Sequence, residues 1–504
     1  MPDASSDVPF DAPARGGYQY QALRAQVLQW IASGTLRVGD RLPSVRSLRQ
    51  SRGLHPATVF QAYELLAAEG WVVSKPRSGF FVASRVAWPE GGPAAGAMQP
   101  AQASPSPGMM SLPMPQPVVL QDWVFEVMAL AKRQELLPLG SPFPDPTLFP
   151  LAALARASSR SLRTLTPRSL TSDAVGGHDR LRQQIAQRCV ARGMDVQADE
   201  VIITHGAIEA LMLSLESCTE PGDVVALETP CFPGAIQALS RLRLQAVEVP
   251  SHPVTGLDLD LLERVLQAHP VKAVWLMSQA QHPLGASLPE GHRARLVDMA
   301  RRHGTVLIED DAYAELLLEG PPATPLRAFD DGQTVLSCGS FSKSLAPGYR
   351  LGWVLAGARR EALQRLKWRS SLSAAIPAQH ALADYLAQGG HDRHLRQLRR
   401  QLKARRDALW AALHHEGLGD ARMTLPAGGF FLWWPLPGRW QGIPLLHACL
   451  RQGLSLMPGE LFGQDGRHAG WARLNFGAVD EAGLREAVRL LRQVCAQAPG
   501  GVRD

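Results

Sequence analysis

The chain has 504 residues, of which 45% are hydrophobic and 19% charged. This ordinary globular composition predicts two or three domains with ample hydrophobic cores. The N-terminal stretch is acidic and proline-containing, and prolines interrupt the longest uncharged tracts, so we expect neither a secretory signal nor a membrane span. Six scattered cysteines without a C-x-x-C pair argue against a zinc site or a disulfide framework and favour a reducing cytoplasm.

The formal net charge of +6 is concentrated in residues 18–85, here called the head. The head contains nine lysines and arginines against three acidic residues, which leaves 43 residues of each sign in the rest of the chain. A basic head on an electrically neutral remainder predicts a polyanionic partner for the head.

The head has the pattern of three helices followed by a β-hairpin. Ser44 is a favourable N-cap for the second helix, and Pro56 suits the first turn of the third. The side chains predicted to face the core are Leu23, Val27, Trp30, Ile31, Val59, Tyr63 and Leu66. Two short apolar runs around a Lys-Pro-Arg-Ser-Gly tip predict a basic wing. This pattern indicates a winged helix-turn-helix, with a small helical docking domain as the alternative.

Three stretches of the head, GDRLPSVRSL, ATVFQAYELLAAEGWV and RSGFFV, resemble the GntR family of winged-helix repressors. The resemblance implies double-stranded DNA as the partner. The residues expected to contact DNA are Arg41, Arg46, Thr58, Gln61, Lys75, Arg77 and Gly79. This chain has His55-Pro56 where the family often has a Ser-Arg pair, so the half-site sequence is not carried over.

Residues 86–117 are rich in Pro, Gly, Ala and Ser and have almost no charge, which is typical of a linker. A flexible coil of this length would span roughly 30 Å. We therefore expect a DNA-binding head, this linker, and a body at residues 118–504.

The body alternates short apolar runs with helical stretches, a pattern that predicts a mostly parallel, doubly wound α/β sheet. The predicted strands lie in EVIITHG, DVVALE, AVWLMS, TVLIEDD and QTVLSCGS. Ligands bind such sheets at the carboxyl ends of the strands, where Gly206, Ala207, Phe232 and residues 309–313 fall. Small residues that open a helix leave backbone N–H groups available for phosphate.

The stretch SCGSFSKSLAPGYRLGW places Lys343 between Ser340 and Arg350. A lysine that acts as a covalent handle needs a fixed position in a pocket that lowers its pKa. Hydroxyl groups and a guanidinium suit a phosphate ester. The stretch therefore suggests a Schiff-base lysine that holds pyridoxal 5′-phosphate.

From about residue 138 to 495, the chain resembles the fold-type I aminotransferases on these motifs and on WARLNFG. The resemblance implies that Lys343 is the Schiff-base lysine, that Asp310 faces the pyridine nitrogen, and that Arg473 binds a substrate carboxylate. The other implied cofactor-binding residues are Tyr313 at the ring oxygen, Phe232 against the ring, and Gly206, Ala207, Ser340 and Arg350 at the phosphate. The resemblance also implies a smaller C-terminal α/β subdomain and a homodimer.

Two departures from that family bear on catalysis. His282 stands where the family usually has the asparagine of Asn-Pro-x-Gly, so a titratable imidazole lies beside the ring oxygen. The stretch before Gly177 lacks a tyrosine that often reaches the phosphate of the neighbouring subunit. These departures leave cofactor binding intact and weaken the expectation of turnover.

A GntR-type head, a long linker and an aminotransferase-like body together resemble the MocR subfamily of regulators. The hypothesis is a cytoplasmic, pyridoxal phosphate-dependent DNA-binding regulator that senses an amine, an amino acid or the aldehyde form of vitamin B6. A working aminotransferase with a DNA-binding head is the first alternative. A structural protein that uses neither site is the second.

Overall fold

The computed structural model describes residues 19–37, 39–52, 54–68, 71–75, 79–83, 112–118, 124, 135–171, 175–320, 323–464 and 466–497. The chain divides into two compact units: residues 1–102 with 187–193, which include the head, and residues 103–186 with 194–504, which include most of the body. Within the described ranges, no helix combines the length and the apolar character that crossing a membrane requires.

The described part of the head has the predicted order of three helices and a hairpin. Its elements are α1 (Gln19–Ala32), α2 (Val45–Arg52), α3 (Pro56–Ala68), β1 (Val72–Lys75) and β2 (Gly79–Val82). Ser44 caps α2, because its hydroxyl accepts the amide hydrogen of Ser47 at 3.0 Å. Of the seven predicted core side chains, six are at most 3% exposed, whereas Ile31 is only partly buried. Ile31 follows Trp30 by one position, which turns it about 100° around the helix and away from the centre of the buried face.

The body is built on a large sheet whose central strands are parallel. The strands of the body are β3 (Gln116–Pro117), β4 (Leu137–Pro138), β5 (Val201–Thr204), β6 (Val224–Thr229), β7 (Gln245–His252), β8 (Gly256–Leu257), β9 (Val271–Leu276), β10 (Val306–Asp310), β11 (Val335–Ser340), β12 (Gly352–Leu355), β13 (Phe431–Pro435), β14 (Leu454–Ser455), β15 (Met457–Pro458) and β16 (Trp471–Asn475). The large sheet has the order β3-β7-β6-β9-β10-β11-β12-β5. Strands β7, β6, β9, β10 and β11 are parallel, and β12 is antiparallel to both of its neighbours.

Gln116 and Pro117, the last two residues of the predicted linker, form the edge strand β3. They pair with Ala246 and Gln245 of β7 in antiparallel register. Strand pairing depends on backbone groups, so the proline-rich composition of this stretch did not reveal it.

Helices cover both faces of the large sheet. The remaining described helices are α4 (Leu151–Thr164), α5 (Pro167–Thr171), α6 (Asp179–Ala191), α7 (Ala207–Glu216), α8 (Pro233–Arg241), α9 (Leu259–Ala268), α10 (Glu290–His303), α11 (Arg360–Ser370), α12 (Ile376–Ala387), α13 (Gly390–His415), α14 (Gly442–Leu450) and α15 (Glu481–Cys495). Trp275 of β9 belongs to a core cluster with Leu211 of α7, and the adjacent Val274 belongs to a second cluster with Leu262 of α9. Successive strand residues point to opposite faces, so the doubly wound α/β class is confirmed.

A smaller antiparallel sheet, β13-β16-β15, packs with α13, α14 and α15 into a separate C-terminal core. This is the predicted C-terminal α/β subdomain. The segments that follow β5, β6, β10 and β11 carry the candidate ligand-binding side chains, in agreement with the rule that ligands bind at the carboxyl ends of parallel strands.

Candidate functional site

Lys343 lies just beyond the end of β11 and is half-buried. Its Nζ donates a hydrogen bond to the carbonyl oxygen of Pro142 at 2.9 Å and lies 4.5 Å from the ring centroid of Phe143. Burial lowers the pKa of Lys343 from 10.5 to about 7; the charge of Arg473 acts in the same direction, and Asp310 opposes it. The amine is therefore available in its neutral, nucleophilic form near neutral pH.

The turn between β5 and α7 forms a cradle with Arg350 whose groups suit an anion. Gly206 is the N-cap of α7, has a φ of 84° and provides no side-chain cap. A β-carbon at this position would lie 2.8 Å from Nη2 of Arg350, so glycine permits the close approach. Nη1 of Arg350 lies 3.5 Å from Oγ of Ser342, and Oγ of Ser340 accepts the amide hydrogen of Ser342 at 3.0 Å. A guanidinium, hydroxyl groups and the N-terminus of a helix that begins at Ala207 suit a phosphate.

Asp310 ends β10 and is 3% exposed. Its Oδ1 accepts the amide hydrogen of Ala312 at 3.2 Å. Burial raises the pKa of Asp310 from 3.8 to about 7; the Ala312 amide opposes the shift, and the neighbouring Asp311 adds to it. A cation placed beside this carboxyl group would favour its ionised form.

His282 lies buried among aromatic rings, 3% exposed. Its ring centroid is 5.8 Å from that of Phe232 and 5.8 Å from that of Tyr313. Its Nε2 lies 3.1 Å from Nη1 of Arg473, whereas its Nδ1 is buried and has no hydrogen-bond partner among the described residues. Burial first, and then the charges of Arg473 and Lys343, hold the pKa of His282 well below its usual value, so the ring is neutral.

Arg473 lies on β16 and is 2% exposed. Its Nη2 donates hydrogen bonds to the carbonyl oxygens of Gly140 and Ser141, the latter at 3.0 Å. The guanidinium carbon lies 4.3 Å from the ring centroid of Phe431. Burial lowers the pKa of Arg473 to about 10, so its charge persists at neutral pH.

The described candidate DNA-contacting residues of the head are exposed or partly buried. Of the candidate set, Arg41, Arg46, Gln61 and Lys75 are exposed, Thr58 and Gly79 are partly buried, and Arg77 lies outside the described residues. Gly79 has a φ of 99°, and a β-carbon there would lie 3.4 Å from the guanidinium of Arg41. Nζ of Lys75 lies 4.6 Å from the ring centroid of Phe81.

Phe60 is a further surface residue that the sequence-based set missed. It is 46% exposed on α3, and apolar side chains on a recognition helix can contact thymine methyl groups. Phenylalanine is usually predicted to lie in a core, so the sequence signal for its exposure was its position between Thr58 and Gln61.

Both parts of the chain match known protein families. Residues 19–82 match the bacterial regulatory proteins of the GntR family, and residues 143–491 match aminotransferase class I and II. The chain is 38% identical to the HTH-type transcriptional regulator YdcR of Escherichia coli, over 94% of this chain and 99% of that protein. It is 28% identical to the "Probable rhizopine catabolism regulatory protein MocR" of Rhizobium meliloti, over 83% of this chain and 80% of that protein.

The fold of the body also has a solved counterpart. The structure of LysN, an α-aminoadipate aminotransferase of Thermus thermophilus complexed with N-(5′-phosphopyridoxyl)-L-leucine, matches with a TM-score of 0.69 and 29% identity, over 75% of this chain and 95% of that one. The chain belongs to the MocR subfamily of GntR-type transcriptional regulators. The resemblances predicted from the sequence are thus confirmed for the head and for the body.

Pyridoxal 5′-phosphate is the cofactor of this MocR-type regulator, and the donors of the site fit that molecule. Its aldehyde requires a neutral amine, which Lys343 could supply, and its ring nitrogen requires a carboxylate, which Asp310 could supply. Its phosphate suits the cradle around Gly206 and Arg350. A buried polar atom without a partner, such as Nδ1 of His282, commonly marks the place of a ligand or a water molecule.

Sequence reasoning missed the contribution of residues 140–143 to this site. Their carbonyl oxygens accept hydrogen bonds from Lys343, Arg473 and Asn475, and Nδ2 of Asn475 lies 2.8 Å from the oxygens of both Ser141 and Phe143. The acceptors in these contacts are backbone carbonyls, so no side-chain motif predicts them. The glycine at position 140 was a weak sequence signal of close backbone packing here, because a β-carbon there would lie 2.9 Å from the carbonyl oxygen of Leu456.

Proposed function

We propose that the regulator holds pyridoxal 5′-phosphate on Lys343 and senses an amine, an amino acid or the aldehyde form of vitamin B6 at this site. The observation that carries the proposal is the placement of the half-buried Lys343 just beyond β11 and of the buried Asp310 at the end of the adjacent parallel strand β10. The pKa values of both groups lie at about 7. A body that served only as a scaffold would have no use for a desolvated amine beside a desolvated carboxyl group.

The individual roles follow from the environment of each side chain. Lys343 would hold the cofactor covalently through its amine, and the bound cofactor would supply an electrophilic carbon for which an amine effector could compete. Asp310 balances the charge on the ring nitrogen, and Arg473 receives the carboxylate of an effector. The remaining contacts are assigned to Tyr313 and His282 at the ring oxygen, Phe232 against the ring, and Gly206, Ala207, Ser340 and Arg350 at the phosphate.

The DNA-binding function is assigned to the head at residues 18–85, which the linker at 86–117 connects to the body at 118–504. Exposed cations and amides attract phosphate groups and read base edges. The residues assigned to DNA contact are Arg41, Arg46, Thr58, Gln61, Lys75, Arg77 and Gly79.

The regulator acts in the cytoplasm as a homodimer. A two-fold dimer matches paired half-sites on DNA. Leu151, Leu162 and Trp368 of the body are 64%, 57% and 61% exposed, and such large apolar side chains could be covered in a dimer. Sedimentation that finds a stable monomer at micromolar concentration with cofactor bound would contradict the dimer.

A working aminotransferase with a DNA-binding head is the second candidate function. The neutral amine of Lys343 and the buried charge of Arg473 are also what transamination of an amino acid requires. Incubation with a panel of amino acids and a keto acid acceptor tests it. Turnover without any effect of these amino acids on DNA binding would favour the enzyme over the sensor.

The substitution Lys343→Ala tests the sensor. The full-length variant should lose the absorption band of the lysine-bound cofactor and its response to effector, while its nonspecific DNA affinity remains that of the wild type. The assay is binding to the promoter DNA beside its own gene, with and without pyridoxal 5′-phosphate and candidate amines. Lys403→Ala is the matched control, since it changes a partly exposed lysine of the body that pairs with Glu319. A normal effector response in Lys343→Ala would overturn the proposal.

A further inference from the structure

Helix α3, the second helix of the helix-turn-helix, turns one face outward. Its exposed residues include Ala57, Phe60, Gln61 and Glu64, and their spacing of three and four positions places them on the same side of the helix. In a helix-turn-helix the second helix lies in the major groove, and residues near its N-terminus contact base edges. Ala57, Phe60 and Gln61 lie in the first two turns of α3, and Glu64 lies one turn further along.

The cations of the head lie beside α3 and not on it. The sequence of α3, Pro56–Ala68, contains no lysine or arginine. Exposed cations lie instead on elements that pack against it, with Arg46 and Arg49 on α2 and Lys75 on β1. Such flanking cations suit phosphate groups, whereas a bidentate arginine or lysine is the usual partner of guanine. Helix α3 therefore lacks the side chains that read G·C pairs best, and its Glu64 carboxylate would repel a phosphate.

The exposed ring of Phe60 is held in place from one side. Phe60 is 46% exposed, and its ring meets that of Phe80 on β2 edge-on, with 6.2 Å between the centroids. Phe80 in turn packs against the buried ring of Tyr63 at 5.0 Å. The hydroxyl group of Tyr63 donates a hydrogen bond to the carbonyl oxygen of Pro43 at 2.8 Å. A ring that is already held by packing loses little conformational freedom when a ligand covers it.

We infer that α3 reads A·T base pairs in the major groove, with the ring of Phe60 on a thymine methyl group and the amide of Gln61 on an adenine. The amide of Gln61 can donate to N7 of adenine and accept from its N6 amino group, and an apolar side chain complements the thymine methyl group. The methyl group of Ala57 extends the apolar part of this face. The inference rests on the proposed DNA-binding function of the head and deepens it, because it names the base pair that is recognised.

Selection of bound duplexes from a random-sequence pool by the full-length protein, followed by titration of the enriched duplex, tests the role of Phe60. The duplex is made with thymine or with uracil, which pairs alike and lacks only the methyl group. The wild type should bind the uracil duplex at least about four-fold more weakly, the effect of one buried methyl group. Phe60→Ala should bind both duplexes alike, and the apolar Phe60→Leu should keep part of the preference. Val254→Ala, which shortens a 56% exposed side chain of the body, is the matched control.

A second titration tests Gln61 through the adenine edge. Replacing adenine by 7-deazaadenine removes the N7 acceptor and leaves base pairing intact. The wild type should bind this duplex more weakly, by on the order of ten-fold, whereas Gln61→Ala should bind it as it binds the unmodified duplex. Gln267→Ala, at an exposed glutamine of the body, should retain the wild-type difference.

The outcomes separate the inference from the function on which it rests. Phe60→Ala should bind an unrelated duplex as the wild type does, because the cations of the head are unchanged, and this binding shows that the head has folded. A thymine preference that persists in Phe60→Ala would mean that another group or the DNA shape reads the methyl group, and would overturn the inference. Unchanged affinity for both duplexes together with weakened self-association in Phe60→Ala would assign the ring to a protein contact and would overturn it as well. A selection that enriches no sequence would instead refute specific DNA binding, and with it the inference.

Discussion

Three charged side chains at the candidate site of the head are exposed, whereas two at the candidate site of the body are buried. Arg41, Arg46 and Lys75 of the head are exposed, whereas Asp310 and Arg473 of the body are at most 3% exposed. An exposed cation keeps its charge and attracts any polyanion, and salt screens that attraction. A buried amine loses its proton near neutral pH and a buried carboxyl group keeps one. The exposed cations of the head are therefore suited to general attraction of a polyanion, whereas the buried groups of the body are suited to covalent and proton-transfer chemistry.

The largest effect of burial should appear in the stability of the cofactor-free protein. Because the pKa of Asp310 rises from 3.8 to about 7 on folding, the folded body binds more protons than the unfolded chain in that window. Stability should thus fall as pH rises from about 4 to 7, by on the order of 4 kcal/mol for this group. Asp310→Asn should flatten the pH dependence of the urea-unfolding midpoint. Asp298→Asn changes a side chain that is 63% exposed and should leave the pH dependence unchanged. If Asp310→Asn kept the pH dependence of the wild type, burial of Asp310 would not be the cause.

In the head, Arg46→Ala should weaken binding to promoter DNA by about 1–3 kcal/mol if the guanidinium reads a base. If it contacts a phosphate instead, the slope of log affinity against log salt should decrease by about 1. Titration of the full-length protein with labelled duplexes at two salt concentrations distinguishes these outcomes. Arg264→Ala, at an exposed arginine of the body, is the matched control. Equal losses in the two variants would mean that DNA contacts extend beyond the head.

The buried lysine predicts a pH-dependent rate of cofactor capture. Because the pKa of Lys343 is lowered to about 7, the neutral amine increases about ten-fold between pH 6 and pH 8, and the rate should rise with it. Arg473→Gln removes a nearby positive charge and should move the profile to higher pH. Asp310→Asn removes a negative charge and should move it to lower pH. Stopped-flow absorbance with pyridoxal 5′-phosphate measures the rate, and a flat profile between these values would show that Lys343 is not desolvated.

The smallest expected effect concerns the glycine of the cradle. Gly206→Ala adds backbone strain of about 1–3 kcal/mol, because a φ of 84° with a ψ of 175° is adopted essentially only by glycine. It also crowds Arg350, so cofactor affinity should fall. Gly304→Ala introduces strain of about 1–2 kcal/mol in the left-handed region, at a φ of 64° and a ψ of 24°, with nothing within 4 Å of the new β-carbon. It should reduce stability and leave cofactor affinity unchanged. Equal affinity losses, measured by titration with the cofactor, would show that strain rather than the cradle is responsible.

Sequence reasoning predicted much of the fold because each element has a strong local signal. The five apolar runs of the body became strands β5, β6, β9, β10 and β11, and the helix starts at Ser44 and Pro56 follow capping and proline preferences. The family resemblance assigned Lys343, Asp310 and Tyr313 to one site, and all three lie at the carboxyl ends of β10 and β11. The edge strand β3 and the partial exposure of Ile31 escaped, because backbone pairing and the width of a buried face depend on neighbours that are distant in sequence.

Residue types, charge distribution and apolar periodicity were sufficient to indicate a basic winged helix-turn-helix and an α/β body with a lysine suited to covalent chemistry. They could not indicate that the carbonyl oxygens of residues 140–143 accept hydrogen bonds from Lys343 and Arg473, or that Arg473 donates a hydrogen bond to Nε2 of His282. Those contacts join residues up to 333 positions apart. The pKa shifts of the site arise in the same way, because desolvation is a property of the surrounding fold and not of the residue itself.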